Sequence, residues 1–165
     1  MIYAGILSDT HLSLATHQFK MLAKRAFSHC DVIFHAGDLT NNSLLTVFQN
    51  QTVYAVHGNM CDNTTSQSLP ESRATTIEGY TICLCHGAGP RHNIEDRMWS
   101  RFPDADCIIF GHTHQPVVEK KGGILFINPG SFQNSSSHGS PASYAILTIE
   151  KTGLTAKLHT IVLNQ

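Results

Sequence analysis

Residues 107 to 114 read Cys-Ile-Ile-Phe-Gly-His-Thr-His. Four apolar residues bounded by glycine read as a buried strand, and two imidazoles, one residue apart, stand at its carboxyl end. The same order recurs along the chain. Ile2–Leu7 runs into Ser-Asp-Thr-His, residues 31–35 into Ala-Gly-Asp, residues 52–56 into His-Gly-Asn, and residues 81–84 into Cys-His-Gly. Each apolar run ends in a polar segment, and most of these hold glycine.

Between these runs lie helical patterns. Residues 17–28 place Phe19, Leu22, Ala23, Ala26 and Phe27 at helical spacing, residues 42–49 read as a short helix after a polar start, and residues 91–102 put Ile94, Met98 and Phe102 on one face. Strand, loop and helix in turn predict a parallel sheet in the first half, with ligands expected outside the carboxyl ends of its strands. From about residue 73 hairpin signals take over. Glu78-Gly79 separates residues 74–77 from 81–84, Lys121-Gly122-Gly123 separates 116–119 from 124–127, and Lys151-Thr152-Gly153 separates 144–149 from 154–161. Residues 134–141, rich in serine, read as a mobile surface loop. The expected fold is α/β, a four-layer arrangement in which two sheets form a β-sandwich flanked by helices, with residues 1–165 as a single domain.

Bulk composition narrows the function. A net charge of −1 leaves no basic stripe for nucleic acid. No apolar stretch is long enough to span a membrane, and the amino terminus lacks the features of a signal peptide, so the chain is read as cytoplasmic. Cys30, Cys61, Cys83, Cys85 and Cys107 are odd in number and show no CxxC spacing; they read as reduced, packed thiols. The 11 histidines nearly equal the 12 acidic residues, which favours metal chemistry, because imidazole is the commonest metal ligand.

The strand ends supply Asp9 and His11, Asp38, Asn59, His86, and His112 with His114. Taken singly each has a bland reading as a cap, a turn or a satisfied core histidine. Taken together, five segments in order, each offering oxygen or nitrogen, are hard to explain as capping. Asp-x-His and His-x-His, if extended, project both side chains to one side. Seven ligands suit two metals sharing a carboxylate. Imidazole and oxygen without thiolate favour Mn²⁺, Fe, Zn²⁺ or Co²⁺, and paired metals suit hydrolysis at phosphorus.

The order Asp-Thr-His, Gly-Asp, Gly-Asn, His-Gly, Gly-His-Thr-His, spanning Ile2 to about Ser131, resembles that of the calcineurin-like metallophosphoesterases. The closer likeness is to their small single-domain phosphodiesterase branch, related in fold to the retromer scaffold subunit. The resemblance implies that Asp9, His11 and His114 hold one metal, that Asn59, His86 and His112 hold a second, and that Asp38 bridges both. Two divalent ions are implied, Mn²⁺ first and Fe, Zn²⁺, Co²⁺ or Ni²⁺ as alternatives, with a metal-bridging hydroxide as nucleophile. The implied partner is a small phosphoester, a diester rather than a monoester. Dimers are common in such small enzymes, which leaves a homo-oligomer open.

The chain departs from the family at Met60. Many members carry histidine there as a proton donor, and methionine has no such proton. His57 and His92 lie in suitable loops but read first as structural or exposed. Asp62 reads as a loop cap or supporting partner. Arg91, together with backbone amides at the start of the 91–102 helix, is a candidate phosphate contact. Asn128-Pro129-Gly130-Ser131 reads first as a turn, with support of the Gly-His-Thr-His loop as the alternative. The competing function is a protein-interaction scaffold of the same fold without physiological catalysis. The intact set of seven residues speaks against it, and Met60 alone speaks for it.

Overall fold

The computed structural model describes residues 1–133 and 140–161. In chain order these form β1 (Ile2–Leu7), α1 (His17–Phe27), β2 (Val32–His35), a 3-10 helix (Asn42–Phe48), β3 (Thr52–Ala55), α2 (Asn63–Ser68), β4 (Ser72–Ile77), β5 (Tyr80–Cys85), α3 (Ile94–Arg101), β6 (Cys107–Ile109), β7 (Val117–Lys121), β8 (Ile124–Asn128), β9 (Ser143–Glu150) and β10 (Gly153–Thr160). One sheet has the order β10-β9-β1-β2-β3 and the other β4-β5-β6-β8-β7. β1, β2 and β3 run parallel, as do β5, β6 and β8. Antiparallel β9 and β10 extend the first sheet, and β4 and β7 edge the second.

Period-2 alternation assigns the layers. Ala4, Ile6, Val32 and Phe34 of the first sheet pack with Ile82, Leu84, Cys107, Ile109, Leu125 and Ile127 of the second. The alternate residues face outward and are also apolar. Leu7 and Ile33 pack under α1 with Phe19, Ala23 and Phe27, while Cys83, Cys85, Ile108 and Phe126 pack under α3 with Ile94 and Met98. Strands apolar on both faces are what a sheet covered on both sides requires. The expected four-layer α/β sandwich is therefore the fold.

The differences are local. The short helix expected over 42–49 is a 3-10 helix, Asn42–Phe48. The helix expected over 91–102 begins only at Ile94, because Asn93 directly ahead of it takes a left-handed backbone with φ 53°. The short helix α2 has no apolar period in its Asn-Thr-Thr-Ser-Gln-Ser sequence and was not expected. Apart from Ser140 and Pro141, the serine-rich stretch lies outside the described residues. All five cysteines are free. Among the described residues no helix is long and apolar enough to cross a membrane.

Candidate metal centre

The topology brings the carboxyl ends of both sheets to one edge. Asp9, Asp38 and Asn59 follow β1, β2 and β3, while His86 follows β5 and His112 and His114 follow β6. Backbone bonds tie the turns together: Asp9 N–H donates to the Gly37 carbonyl (3.0 Å), His11 N–H to that of Asp38 (2.9 Å), and Gly111 N–H to that of His86 (3.1 Å). The His112 N–H donates to Asp9 Oδ2 at 3.1 Å, which bridges the two sheets.

Asp-x-His and His-x-His are not extended. Asp9, His11, Asp38, Thr40, His112 and His114 all have positive φ, between 48° and 69°. The left-handed region costs a non-glycine residue roughly 1 to 2 kcal/mol. Six such residues in these turns store strain where the candidate ligands sit, and the surrounding bonds must hold it. The left-handed turns fold the backbone back on itself, so each side chain meets its partners from a loop instead of from a strand face.

Two overlapping groups result. Asp9, His11 and His114 form one, and Asp9, Asp38 and His86 the other. Asp9 Oδ1 lies 3.1 Å from His114 Nε2, 3.9 Å from His11 Nε2 and 4.0 Å from His86 Nε2. His86 Nε2 is 3.1 Å from Asp38 Oδ2, and the Nε2 atoms of His11 and His114 are 3.2 Å apart. Asp9 Oδ1 and His86 Nε2 are buried yet have no partner in hydrogen-bonding geometry. Such atoms are costly unless satisfied. Carboxylate oxygens and imidazole nitrogens converging in this way fit a divalent cation, and the donor set lacks the thiolates of a structural zinc site.

Supporting contacts orient each ligand. His86 Nδ1 lies 2.8 Å from the Ala36 carbonyl, so Nδ1 carries the proton and Nε2 faces Asp38. Ser8 donates to Asp9 Oδ2 at 2.5 Å, and Ser131 donates to the Asp9 carbonyl at 2.8 Å. Asp38 Oδ1 accepts the Met60 N–H at 2.7 Å, so the residue lacking a proton-donating side chain still holds a carboxylate through its backbone. Asn128 donates to the Gly111 carbonyl and the Thr113 hydroxyl. The Asn-Pro-Gly-Ser turn therefore does support the histidine loop.

Electrostatics follow this geometry. Burial works against ionisation of Asp9, but His114, His86 and Ser8 hold its carboxyl below the ordinary value. Burial likewise opposes ionisation of Asp38, which His86 and the Met60 N–H hold below the usual value. Burial disfavours protonated His86, yet Asp38 and Asp9 outweigh it and raise the pKa. His11 and His112 are lowered, chiefly by burial. The residue common to the two groups is Asp9, whereas Asp38 belongs only to the group with His86.

The remaining candidates separate. His112 stands edge-on to His86, with ring centroids 5.2 Å apart, and its Nε2 meets the Gly89 carbonyl at 2.8 Å. Asn59 is exposed and, with His57 and His86, lines a cavity of ≈270 Å³ that reaches Glu71 and Arg101. Asp62 caps α2 by accepting from Thr65 N–H (2.7 Å) and is held by Asn41 Nδ2 (2.7 Å). Arg91 and His92 are exposed in the loop ahead of α3, and Arg91 acts electrostatically on His112. Because α3 starts at Ile94, residues 86–91 do not form a helix N-terminus, contrary to expectation. A larger cleft of ≈660 Å³ under α1 has neither histidine nor carboxylate in its lining and shares nothing with this centre.

The comparisons with known proteins agree with this fold. The profile of the calcineurin-like phosphoesterase superfamily domain matches residues 2–152. The chain belongs to that superfamily. It is 35% identical over 130 residues to a probable metallophosphoesterase of Methanothermobacter thermautotrophicus, covering 77% of this chain and 75% of that protein. It is also 35% identical over 101 residues to phosphodiesterase YfcE of Escherichia coli, covering 58% of this chain but only 52% of the relative. In structure it resembles Zn²⁺-complexed Vps29 from Entamoeba histolytica, with a TM-score of 0.79 at 24% identity over 98% of this chain and 93% of that one. That likeness concerns the fold.

Sequence reasoning missed Ser8, His35, Gly58 and Arg97. His35 is fully buried behind the centre. Its Nδ1 accepts the Gly37 N–H (3.3 Å) and its Nε2 faces the Thr10 hydroxyl (3.2 Å). Burial lowers its pKa to about 4. A Cβ at Gly58 would collide with Asp38 Oδ1, and one at Gly111 with Ser8 Oγ. The sequence signal for both was glycine beside a candidate ligand.

Proposed function

We propose that this metallophosphoesterase is dinuclear and hydrolyses small phosphodiesters. The observation that carries the reading is the convergence of two buried, unsatisfied atoms, Asp9 Oδ1 and His86 Nε2, in two overlapping ligand groups. In this reading Asp9, His11 and His114 hold one cation, and Asn59, His86 and His112 hold the other, with Asp38 shared between them. Bound metals would acidify a water as nucleophile and neutralise charge at phosphorus, with Mn²⁺ the leading candidate and Fe, Zn²⁺, Co²⁺ or Ni²⁺ as alternatives. The chain's own residues do the rest. Ser8 and the His112 N–H pin Asp9 Oδ2 and so turn Oδ1 inward; the Met60 N–H fixes Asp38, and the Ala36 carbonyl fixes the His86 tautomer. The cavity beside Asn59 and His86 offers room for one ester arm.

A diester preference is supported by the relatives named phosphodiesterase and by Met60, which brings no proton to a poor leaving group. Metal content and turnover of a chromogenic bis-aryl phosphate with added Mn²⁺ test the reading. The expected result is two equivalents of metal, activity abolished by chelator, and a loss of at least 100-fold in Asp38→Asn. Equal turnover by Asp38→Asn and the unsubstituted protein would refute it.

A further inference from the structure

The loop between β5 and α3 carries four successive carbonyls, at Gly87, Ala88, Gly89 and Pro90. Three of them bond one side chain. The Arg97 guanidinium donates from Nη2 to the Gly87 carbonyl (3.0 Å) and the Pro90 carbonyl (2.7 Å), and from Nη1 to the Ala88 carbonyl (3.2 Å). The fourth, Gly89, turns the other way and meets His112 Nε2 at 2.8 Å. This reversal needs φ of 84° at Gly87 and 114° at Gly89, a region that glycine enters without penalty. Arg97 projects from the middle of α3, and its neighbours Ile94 and Met98 are buried against the second sheet, so the guanidinium is anchored on a packed element.

A carbonyl only accepts a hydrogen bond. The proton of neutral His112 therefore sits on Nε2, and Nδ1 is left as its lone-pair atom. Ligating histidines are commonly fixed in this way by a carbonyl on the other nitrogen. We propose that Arg97 is a positioning residue: by gathering the Gly87, Ala88 and Pro90 carbonyls it aims the Gly89 carbonyl at His112, and so sets which imidazole nitrogen faces the second metal position. This rests on the dinuclear reading above. Arginine is required because its planar fork spans three acceptors, whereas a lysine ammonium is a single point charge on a flexible stem.

The test uses Arg97→Ala and Arg97→Lys, the second keeping charge and stem in case the first folds poorly. Ring nitrogen NMR of the metal-free protein at pH 8 reads the His112 tautomer, and calorimetric titration with Mn²⁺ reads the two affinities. In both variants His112 is expected to lose its single Nε2-protonated form, and one Mn²⁺ affinity to fall by about 10-fold or more. The other affinity and the His11 and His114 signals stay unchanged, which a general loss of folding would not allow. If Arg97→Lys retains the Nε2-protonated tautomer and both affinities stay within about two-fold, the proposal is overturned. If the unsubstituted protein itself binds fewer than two Mn²⁺, the dinuclear reading falls, and the tautomer measurement still decides the role of Arg97.

Discussion

The Asn128 side chain is tied to the Gly111 carbonyl at 2.9 Å, and the same Nδ2 donates to the Thr113 hydroxyl at 2.9 Å. Its Oδ1 accepts the Gly130 N–H at 2.9 Å. A fully buried amide at the end of β8 thus clamps the turn that bears His112 and His114 against the turn that bears Ser131. Asn128→Ala leaves several buried polar groups without partners. The expected cost is about 2 to 3 kcal/mol, a fall in Tm of roughly 5 to 10 °C, with metal affinity reduced by about 10-fold or more. Thermal unfolding and Mn²⁺ titration check both; an unchanged affinity would remove Asn128 from the support of the centre.

Gly58 lies against Asp38. A Cβ there meets Asp38 Oδ1 and the Asp38 backbone nitrogen, neither of which is the free end of a flexible chain. Gly58→Ala must displace Asp38 or the 58–60 turn whose Met60 N–H holds it. A loss of turnover of at least about 100-fold is expected with overall folding retained, since misplacement by about 1 Å is enough for that. Circular dichroism beside the diester assay separates the two effects.

Met60 contributes its backbone to the centre, and the residue is 58% exposed. Met60→His therefore keeps the bond to Asp38 and meets open space. It would place an acid where many members of the superfamily have one. Turnover of alkyl diesters, whose leaving groups need a proton, should rise by about 10- to 100-fold, and turnover of bis-aryl phosphates should change little. A parallel change in both substrates would mean that no proton is transferred from this position.

His35 makes acid stability a test of the interior. Burial lowers its pKa to about 4, from 6.5 when unfolded. A group depressed in this way takes up its proton first in the unfolded chain. Its neutral form therefore supports folding fully above about pH 6.5, and that support is lost as pH falls toward 4. His35→Gln can still accept from Gly37 and donate to Thr10 but does not titrate. Between pH 6.5 and 4 it should lose about 3 kcal/mol less stability than the unsubstituted protein. Denaturant melts across that range in chelator measure the difference; identical pH slopes would show that His35 is protonated without cost.

The sandwich is legible in the chain because its layers follow local rules. Apolar alternation on both faces of β1, β5, β6 and β8 needs cover on both sides, and glycine-containing hairpins mark most of the antiparallel edges. What escapes a reading of the chain is polar or non-helical: α2 has no apolar stripe, and the left-handed Asn93 postpones the start of α3. The order of polar segments after the strands also singles out Asp9, His11, Asp38, His86 and His114, because residue type and position at a strand end are properties of the sequence alone. Only the tertiary structure decides which atoms meet. The left-handed turns at Asp9, His11, His112 and His114 and the shared place of Asp9 Oδ1 in two groups depend on contacts between segments far apart in the chain. No local propensity encodes them, since each is settled by two packed sheets bringing their carboxyl ends to one edge.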